Sequence, residues 1–232
     1  MAGLSAVPLF MLQIPGLEAP DLTFGEQMAQ LWRDGGWMMW PLGVSGLIGL
    51  IVIVWKLIHL TSKSSQMKKF LTEADTLIGQ GKIDSVLTLA RNSNAPAARV
   101  LAAGLERRDE GTERVMKAIE NVGVIEMANL ESGLVWLATV SNVAPMLGFL
   151  GTVIGMIEAF QAIELAGEVE ATLVAGGIKV ALITTAAGLT IAIPVSIAHN
   201  YFISRIDRLV LDMEEAAQKM VDALHAAEAR RA

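Results

Sequence analysis

The sequence contains no cysteine, only three histidines and few aromatic residues. The absence of cysteine excludes disulfides, thiolate metal sites and cysteine nucleophiles. The histidines are scattered without the spacing of metal ligands, so we predict no metal site and no cofactor. Paired carboxylates, a Ser-His-Asp set and a phosphate-binding glycine loop are also missing, which leaves no basis for an enzyme. The formal net charge of −6 argues against a nucleic-acid partner, because phosphate binding needs a basic face.

Long apolar stretches dominate the chain instead. Apolar residues make up 53% of its 232 residues, which is too many for an ordinary soluble domain. Three stretches are long and apolar enough to cross a lipid bilayer, which takes about 20 residues. Residues 59–132 carry ten lysines and arginines, whereas the loop between the second and third stretches is acidic. The positive-inside rule therefore places the N-terminus in the periplasm and the C-terminus in the cytoplasm.

These patterns predict an all-α integral membrane protein with three transmembrane helices and long cytoplasmic helical extensions. The predicted segments are a periplasmic tail with an interfacial amphipathic helix (1–37), transmembrane helix 1 (38–60), a cytoplasmic helical domain (61–132), transmembrane helix 2 (133–165), a short periplasmic loop (166–171), transmembrane helix 3 (172–203) and a C-terminal cytoplasmic helix (204–232). The first 20 residues lack a basic start, and we interpret them as a tail rather than a cleaved signal. Lys56 marks the inner end of helix 1, where we expect its amine to reach the membrane surface.

Three threonines lie at one depth in the predicted membrane. The second and third spans form a hairpin around the acidic loop, so Thr152 lies level with Thr184 and Thr185. The simplest interpretation is that each hydroxyl bonds to a carbonyl of the preceding helical turn. Three hydroxyls at one level also suit a weak ligand set for a hard cation, or a water wire. We therefore name these threonines as a candidate ion path.

Small residues recur every three or four positions on the second and third spans, which lets helix backbones approach closely. The candidate packing glycines are Gly148, Gly151, Gly155, Gly177 and Gly188. Transmembrane helix 1 carries a similar stripe at Gly43, Gly46 and Gly49, which we expect to pack against the other two spans.

Charged residues and prolines also occur within these spans. Lys179 lies at the depth of Glu158, and it either reaches the membrane surface or pairs with Glu158 of a neighbouring subunit. Pro145 and Pro194 each lie in the inner half of a span and are expected to kink it. A kink at that level is a candidate hinge.

The runs "VAPMLGFLGTVIGMIEAF" and "GGIKVALITTAAGLTIAIP" resemble the membrane signatures of the MotA/TolQ/ExbB family of ion-driven motor subunits. The resemblance covers about residues 30–208. It implies a homopentamer in the bacterial inner membrane, around a central pore lined by the second and third spans. It also implies a dimer of single-span ExbD/TolR/MotB-like partners within that pore. Flow of H⁺ or Na⁺ past an aspartate of the partner then drives outer-membrane transport or a related envelope process.

Carried over residue by residue, Thr152 matches the threonine of the family's second-span "GT", and Thr185 matches that of the third-span signature. The glutamate usual in the third span of ExbB and TolQ proteins is replaced here by Val180. The run "VALITT" resembles sodium-driven flagellar stators, whereas the small inner domain resembles ExbB. The leading hypothesis is a motor subunit whose essential carboxylate comes from its partner. The alternative is a structural membrane scaffold without ion conduction, and a self-sufficient channel is disfavoured because no acid lies on the small-residue faces.

Overall fold

The computed structural model describes residues 23–229, so most of the predicted periplasmic tail lies outside the described residues. Within that range the chain forms helices and no strand. The α-helices are α1 (Phe24–Asp34), α2 (Met39–Gly79), α3 (Ile83–Arg91), α4 (Pro96–Leu105), α5 (Thr112–Glu131), α6 (Leu134–Ala166) and α7 (Ala171–Ala229), with a 3-10 turn at Arg108–Glu110. The prediction of an all-α protein is confirmed.

Three of the described helices are long and apolar enough to cross a membrane, and they are α2, α6 and α7. Two of them are far longer than a crossing requires. At 1.5 Å per residue, the 41 residues of α2 and the 59 residues of α7 extend over roughly 60 and 90 Å, against about 30 Å of hydrocarbon. The predicted boundaries after residues 60 and 203 therefore fall inside continuous helices rather than at breaks in the chain.

The extensions of α2 and α7 pack with α3, α4 and α5 into a bundle, called here the helical domain. Apolar residues on the α7 extension recur at alternating steps of four and three, which keeps one stripe facing the bundle. The buried members of this stripe include Phe202, Ile206, Leu209, Met213, Ala216 and Met220. They meet the buried Met67 and Phe70 of α2 in a core that continues to Val140 and Val195 between the membrane helices. Burying each such side chain contributes about 1.5–3 kcal/mol, so the two regions are tied together by a shared core.

The helical conformation is interrupted between α5 and α6, at Ser132 and Gly133. Gly133 adopts a left-handed backbone conformation with φ of 87°, and the Trp55 ring covers it so closely that a Cβ would lie 2.9 Å from the ring. Lys56 is fully buried beside this break, and its Nζ donates to the carbonyl oxygens of Leu130 at 2.5 Å and Ser132 at 2.6 Å. The amine is therefore enclosed by protein at this end of the first span. The end of α5 leaves carbonyls without helical donors, and the lysine satisfies them.

Helix α1 precedes the first span and is fixed at its start by a capping box, in which Thr23 and Glu26 bond reciprocally. Its Trp32 ring lies over Gly43 of α2, where a side chain would collide with it. Further along the glycine stripe of α2, Gly46 faces Ile191 of α7, and Gly49 faces both Val195 of α7 and Val140 of α6. The stripe therefore contacts α1 at its first glycine and the other two membrane helices at the next two.

Candidate functional site

Helices α6 and α7 run antiparallel and meet along a line of glycines, called here the seam: Gly148, Gly151, Gly155, Gly177 and Gly188. A Cβ built on Gly155 would lie 2.6 Å from the carbonyl oxygen of Gly177, and one on Gly188 would lie 2.7 Å from that of Ala144. These distances are too short for any side chain. The seam is therefore a direct backbone-to-backbone contact, which is how membrane helices gain packing energy without a hydrophobic driving force.

Thr184 lies inside the seam and is fully buried. Its hydroxyl donates to the carbonyl oxygens of Val180 and Ala181, each at 3.0 Å. Its side chain fills the space beside Gly151, where a Cβ would overlap both its Cβ and its hydroxyl oxygen. The glycine at position 151 thus makes room for the threonine.

Thr185 is half-buried and lies at the edge of the seam. Its hydroxyl oxygen is 3.1 Å from the carbonyl oxygen of Ala181 in its own helix and 3.5 Å from that of Gly148 across the seam. Thr152 is also half-buried, and its hydroxyl donates to the carbonyl oxygen of Phe149 at 2.6 Å. Because Thr152 directly follows Gly151, which touches Thr184, the three threonines lie at nearly one depth.

All three hydroxyls therefore donate to backbone carbonyls, as the simplest interpretation expects. This does not remove them as ligands. A hydroxyl has one hydrogen and two acceptor lone pairs, so a donating hydroxyl still offers its oxygen to a cation or a water molecule. Because the hydroxyl hydrogen points towards a carbonyl of the threonine's own helix, the lone pairs of the hydroxyl oxygen are directed away from that helix. In Thr185 and Thr152 this oxygen belongs to a side chain that is partly accessible, whereas in Thr184 it is enclosed.

Val180, which the resemblance places at the position of the family glutamate, faces α1–α2 rather than the seam. Its side chain lies 3.9 Å from where a Cβ on Gly36 would be, in the short connection between α1 and α2. It is half-buried and its carbonyl accepts the Thr184 hydroxyl. This position therefore provides a backbone oxygen to the Thr184 hydroxyl but no titratable group.

Lys179 makes an ion pair that the sequence analysis missed. Its Nζ lies 2.6 Å from Oδ2 of Asp34, with side chains 54% and 27% exposed. Glu158 is exposed and has no ion pair with any of the residues 23–229. Within one chain the partner of Lys179 is thus Asp34, and pairing with Glu158 of another copy stays a prediction. The sequence did contain an indication of this pair. Asp34 lies at the C-terminal end of α1, where a negative charge is unfavourable for the helix dipole and is stabilised by a nearby cation.

Pro145 and Pro194 lie inside α6 and α7, and both helices continue through them. Proline has no N–H, so the carbonyls four residues earlier, at Ser141 and Thr190, lose their usual helical donor. Both prolines lie on the side of the seam towards the helical domain. Their action as hinges remains a prediction.

The comparisons with known proteins agree with this architecture. Residues 92–215 match the model of the MotA/TolQ/ExbB proton channel family, and that range contains the whole seam. The chain belongs to this family. A protein of Methanothermobacter thermautotrophicus named as a biopolymer transport ExbB homolog is 30% identical over 205 residues, which cover 88% of this chain and 72% of the relative. Membership in a family of channel and transport subunits means that the chain is a membrane protein and not an enzyme.

Two further relatives match over shorter ranges. The Tol-Pal system protein TolQ of Haemophilus influenzae is 37% identical over 116 residues, half of each chain. The biopolymer transport protein ExbB of Xanthomonas campestris is 40% identical over 100 residues, which are 43% of this chain and 39% of the relative. The chain is thus similar to both ExbB and TolQ proteins, and these matches do not assign it to one of the two branches.

Proposed function

We propose that this chain is the ring-forming, ion-conducting subunit of a motor complex in the bacterial inner membrane, with a periplasmic N-terminus and a cytoplasmic C-terminus. It couples the flow of H⁺ or Na⁺ to mechanical work on a dimer of single-span ExbD/TolR/MotB-like partners, which energises outer-membrane transport or a related envelope process. The observation that carries this proposal is the seam, where the half-buried Thr185 places its hydroxyl at the contact of two apolar helices.

The outer faces of the seam helices support a ring. Phe149 and Phe160 on α6 are 69% and 65% exposed, and Leu182 and Ile197 on α7 are 66% and 65% exposed. These side chains point away from the seam and towards lipid or other copies. A homopentamer would cover part of this surface between neighbours, leave α2 on the outside, and enclose a pore that a partner helix can occupy.

The replacement of the family glutamate by Val180 supports a division of labour. With no titratable group at this position, the carboxylate that binds and releases the ion comes from the partner. The chain itself contributes hydroxyl and carbonyl oxygens. Sodium requires several oxygen ligands at once, which favours sodium here, whereas the family description favours protons.

A pair of threonines on α7 offers a matched test. Thr190 is exposed, and its hydroxyl donates to the carbonyl oxygen of Ala186 at 2.7 Å, so it has the same local bond as Thr185 but lies off the seam. Ion flux is measured in vesicles that hold this subunit together with its single-span partner. Thr185→Val should abolish flux with the assembly intact, whereas Thr190→Val should leave flux unchanged.

Other outcomes would decide against the proposal. Normal flux in Thr185→Val would show that the hydroxyl only stabilises its own helix. A complex that assembles with the partner but conducts neither ion, in the unmodified form, would support the structural scaffold instead.

A further inference from the structure

A basic pocket lies between α2 and α7 where both helices leave the membrane towards the helical domain. Ser64, Ser65, Lys68 and Arg205 form its polar part, and Leu57 and Tyr201 form its apolar part. None of these residues contributes to the seam. The pocket is therefore separate from the candidate ion path and is not explained by the proposed function.

The two cations of this pocket have no counterion. Arg205 is half-buried, and its Nη2 donates to Oγ of the buried Ser64 at 3.1 Å. Among residues 23–229, no carboxylate pairs with Arg205 or with Lys68. A guanidinium has five N–H donors, and among residues 23–229 the only hydrogen bond of the Arg205 guanidinium goes to Ser64, which leaves its other donors for a ligand. A partly buried cation in this state favours an anion with several acceptor oxygens, and a phosphate matches the geometry of the guanidinium fork.

The apolar part of the pocket indicates what carries this phosphate. Leu57 and Tyr201 are 49% and 57% exposed on the membrane side of the cations. Eleven residues of continuous helix separate Leu57 from Lys68, a rise of roughly 16 Å, which lies within the thickness of one leaflet, about 20 Å with its headgroups. Tyrosine at this depth is typical of the membrane–water interface. The pocket thus changes from apolar to basic in the same direction as a phospholipid.

We propose that this pocket binds the phosphate of an anionic glycerophospholipid in the leaflet next to the helical domain. Arg205 holds the phosphate oxygens with Ser64 fixing its orientation, Lys68 adds a second positive charge, and the acyl chains lie along Leu57 and Tyr201. The lipid then connects α2 and α7 at the level where the membrane part of the chain joins the helical domain. This inference goes beyond the proposed function and requires only that the chain lies in a membrane.

The test measures lipid binding to the full chain in detergent by native mass spectrometry, with dioleoylphosphatidylglycerol and dioleoylphosphatidylcholine as probes. The pocket variant is Lys68→Gln with Arg205→Gln. The control variant is Lys69→Gln with Arg208→Gln, which removes the same charge from exposed neighbours outside the pocket. Affinity for phosphatidylglycerol should fall at least about tenfold in the pocket variant, because charge-assisted hydrogen bonds are lost, and less than about twofold in the control. Phosphatidylcholine binding should change little in either variant.

Several results would overturn the proposal. Equal losses in the two variants would show diffuse attraction by surface charge. Displacement of the lipid by excess inorganic phosphate would identify the ligand as free phosphate. Loss of the oligomer without any change in lipid affinity would show that Arg205 binds a carboxylate of a second copy. If the glutamine variant fails to fold, Arg205→Lys provides the test instead. It keeps the positive charge but removes the planar donors of the guanidinium, so it should still weaken lipid binding several-fold.

Discussion

Two adjacent glycines on α7 allow the contribution of the seam to be measured directly. Gly177 is in the seam, where an added Cβ would lie 2.7 Å from the Cβ of Ala159 and 2.9 Å from its backbone nitrogen. Gly176 is exposed, and an added Cβ would meet nothing within 4 Å. Alanine at either position changes the same helix by the same methyl group. The difference between Gly177→Ala and Gly176→Ala therefore isolates the contact with α6.

The magnitude follows from the size of the overlap. Carbon atoms attract best at roughly 3.5–4.0 Å, so Gly177→Ala forces α6 and α7 apart by several tenths of an ångström or more. Such overpacking usually costs about 1–3 kcal/mol. Both variants gain the greater helix propensity of alanine, about 1 kcal/mol in soluble helices, and this gain cancels in the comparison. We expect Gly177→Ala to be less stable than Gly176→Ala by about 2 kcal/mol.

The free energy of unfolding is measured by denaturant titration of the detergent-solubilised chain, and the circular dichroism of each variant checks that helix content is unchanged. Gly177→Ala should also lower ion flux, because it moves Thr184 and Thr185 away from α6. Equal unfolding free energies for the two alanine variants would refute the reasoning. The seam would then separate without cost, and close backbone contact would not be what holds the hairpin.

Three further predictions concern the charged residues and the ion. Lys56→Met should lower the free energy of unfolding by about 2–4 kcal/mol, since it leaves the buried carbonyl of Leu130 and the part-buried carbonyl of Ser132 without their donor. Lys63→Met removes one exposed bond of 3.3 Å and should change this free energy by no more than about 0.5 kcal/mol; a small effect at Lys56 would mean that water replaces its amine. Asp34→Asn and Lys179→Met should show a coupling of about 0.5–1 kcal/mol in a double-mutant cycle, as expected for a pair that is partly exposed to solvent. Strictly additive effects would leave Lys179 free for another copy. If sodium is the ion, removing sodium at fixed membrane voltage should stop the ion-driven activity of the complex, and Thr184→Ala should weaken the dependence of that activity on sodium. Activity that persists without sodium and collapses with a protonophore would identify protons as the ion.

Properties that depend on one helix at a time were predictable from the sequence. Hydropathy predicted three spans because each is a continuous apolar run, and the 3.6-residue period placed Gly148 and Thr185 on the faces where α6 and α7 meet. What sequence did not predict depends on the meeting of distant elements. The burial of Lys56 is such a case, because its partners are carbonyls 74 and 76 residues away, at a helix end whose position follows from the fold. The Asp34 partner of Lys179 likewise depends on where α1 lies against α7.

The geometry of the seam divides the three threonines, although the sequence treats them alike. Thr184 is enclosed between two backbones, so an ion can reach its hydroxyl only if α6 and α7 separate. That hydroxyl can still influence an ion indirectly, because it withdraws electron density from the carbonyls of Val180 and Ala181. Thr185 and Thr152 keep part of their surface accessible at the seam's edge. Under the proposed function, an ion that does not open the hairpin would therefore pass these two threonines, on a face that a partner helix or a second copy would complete.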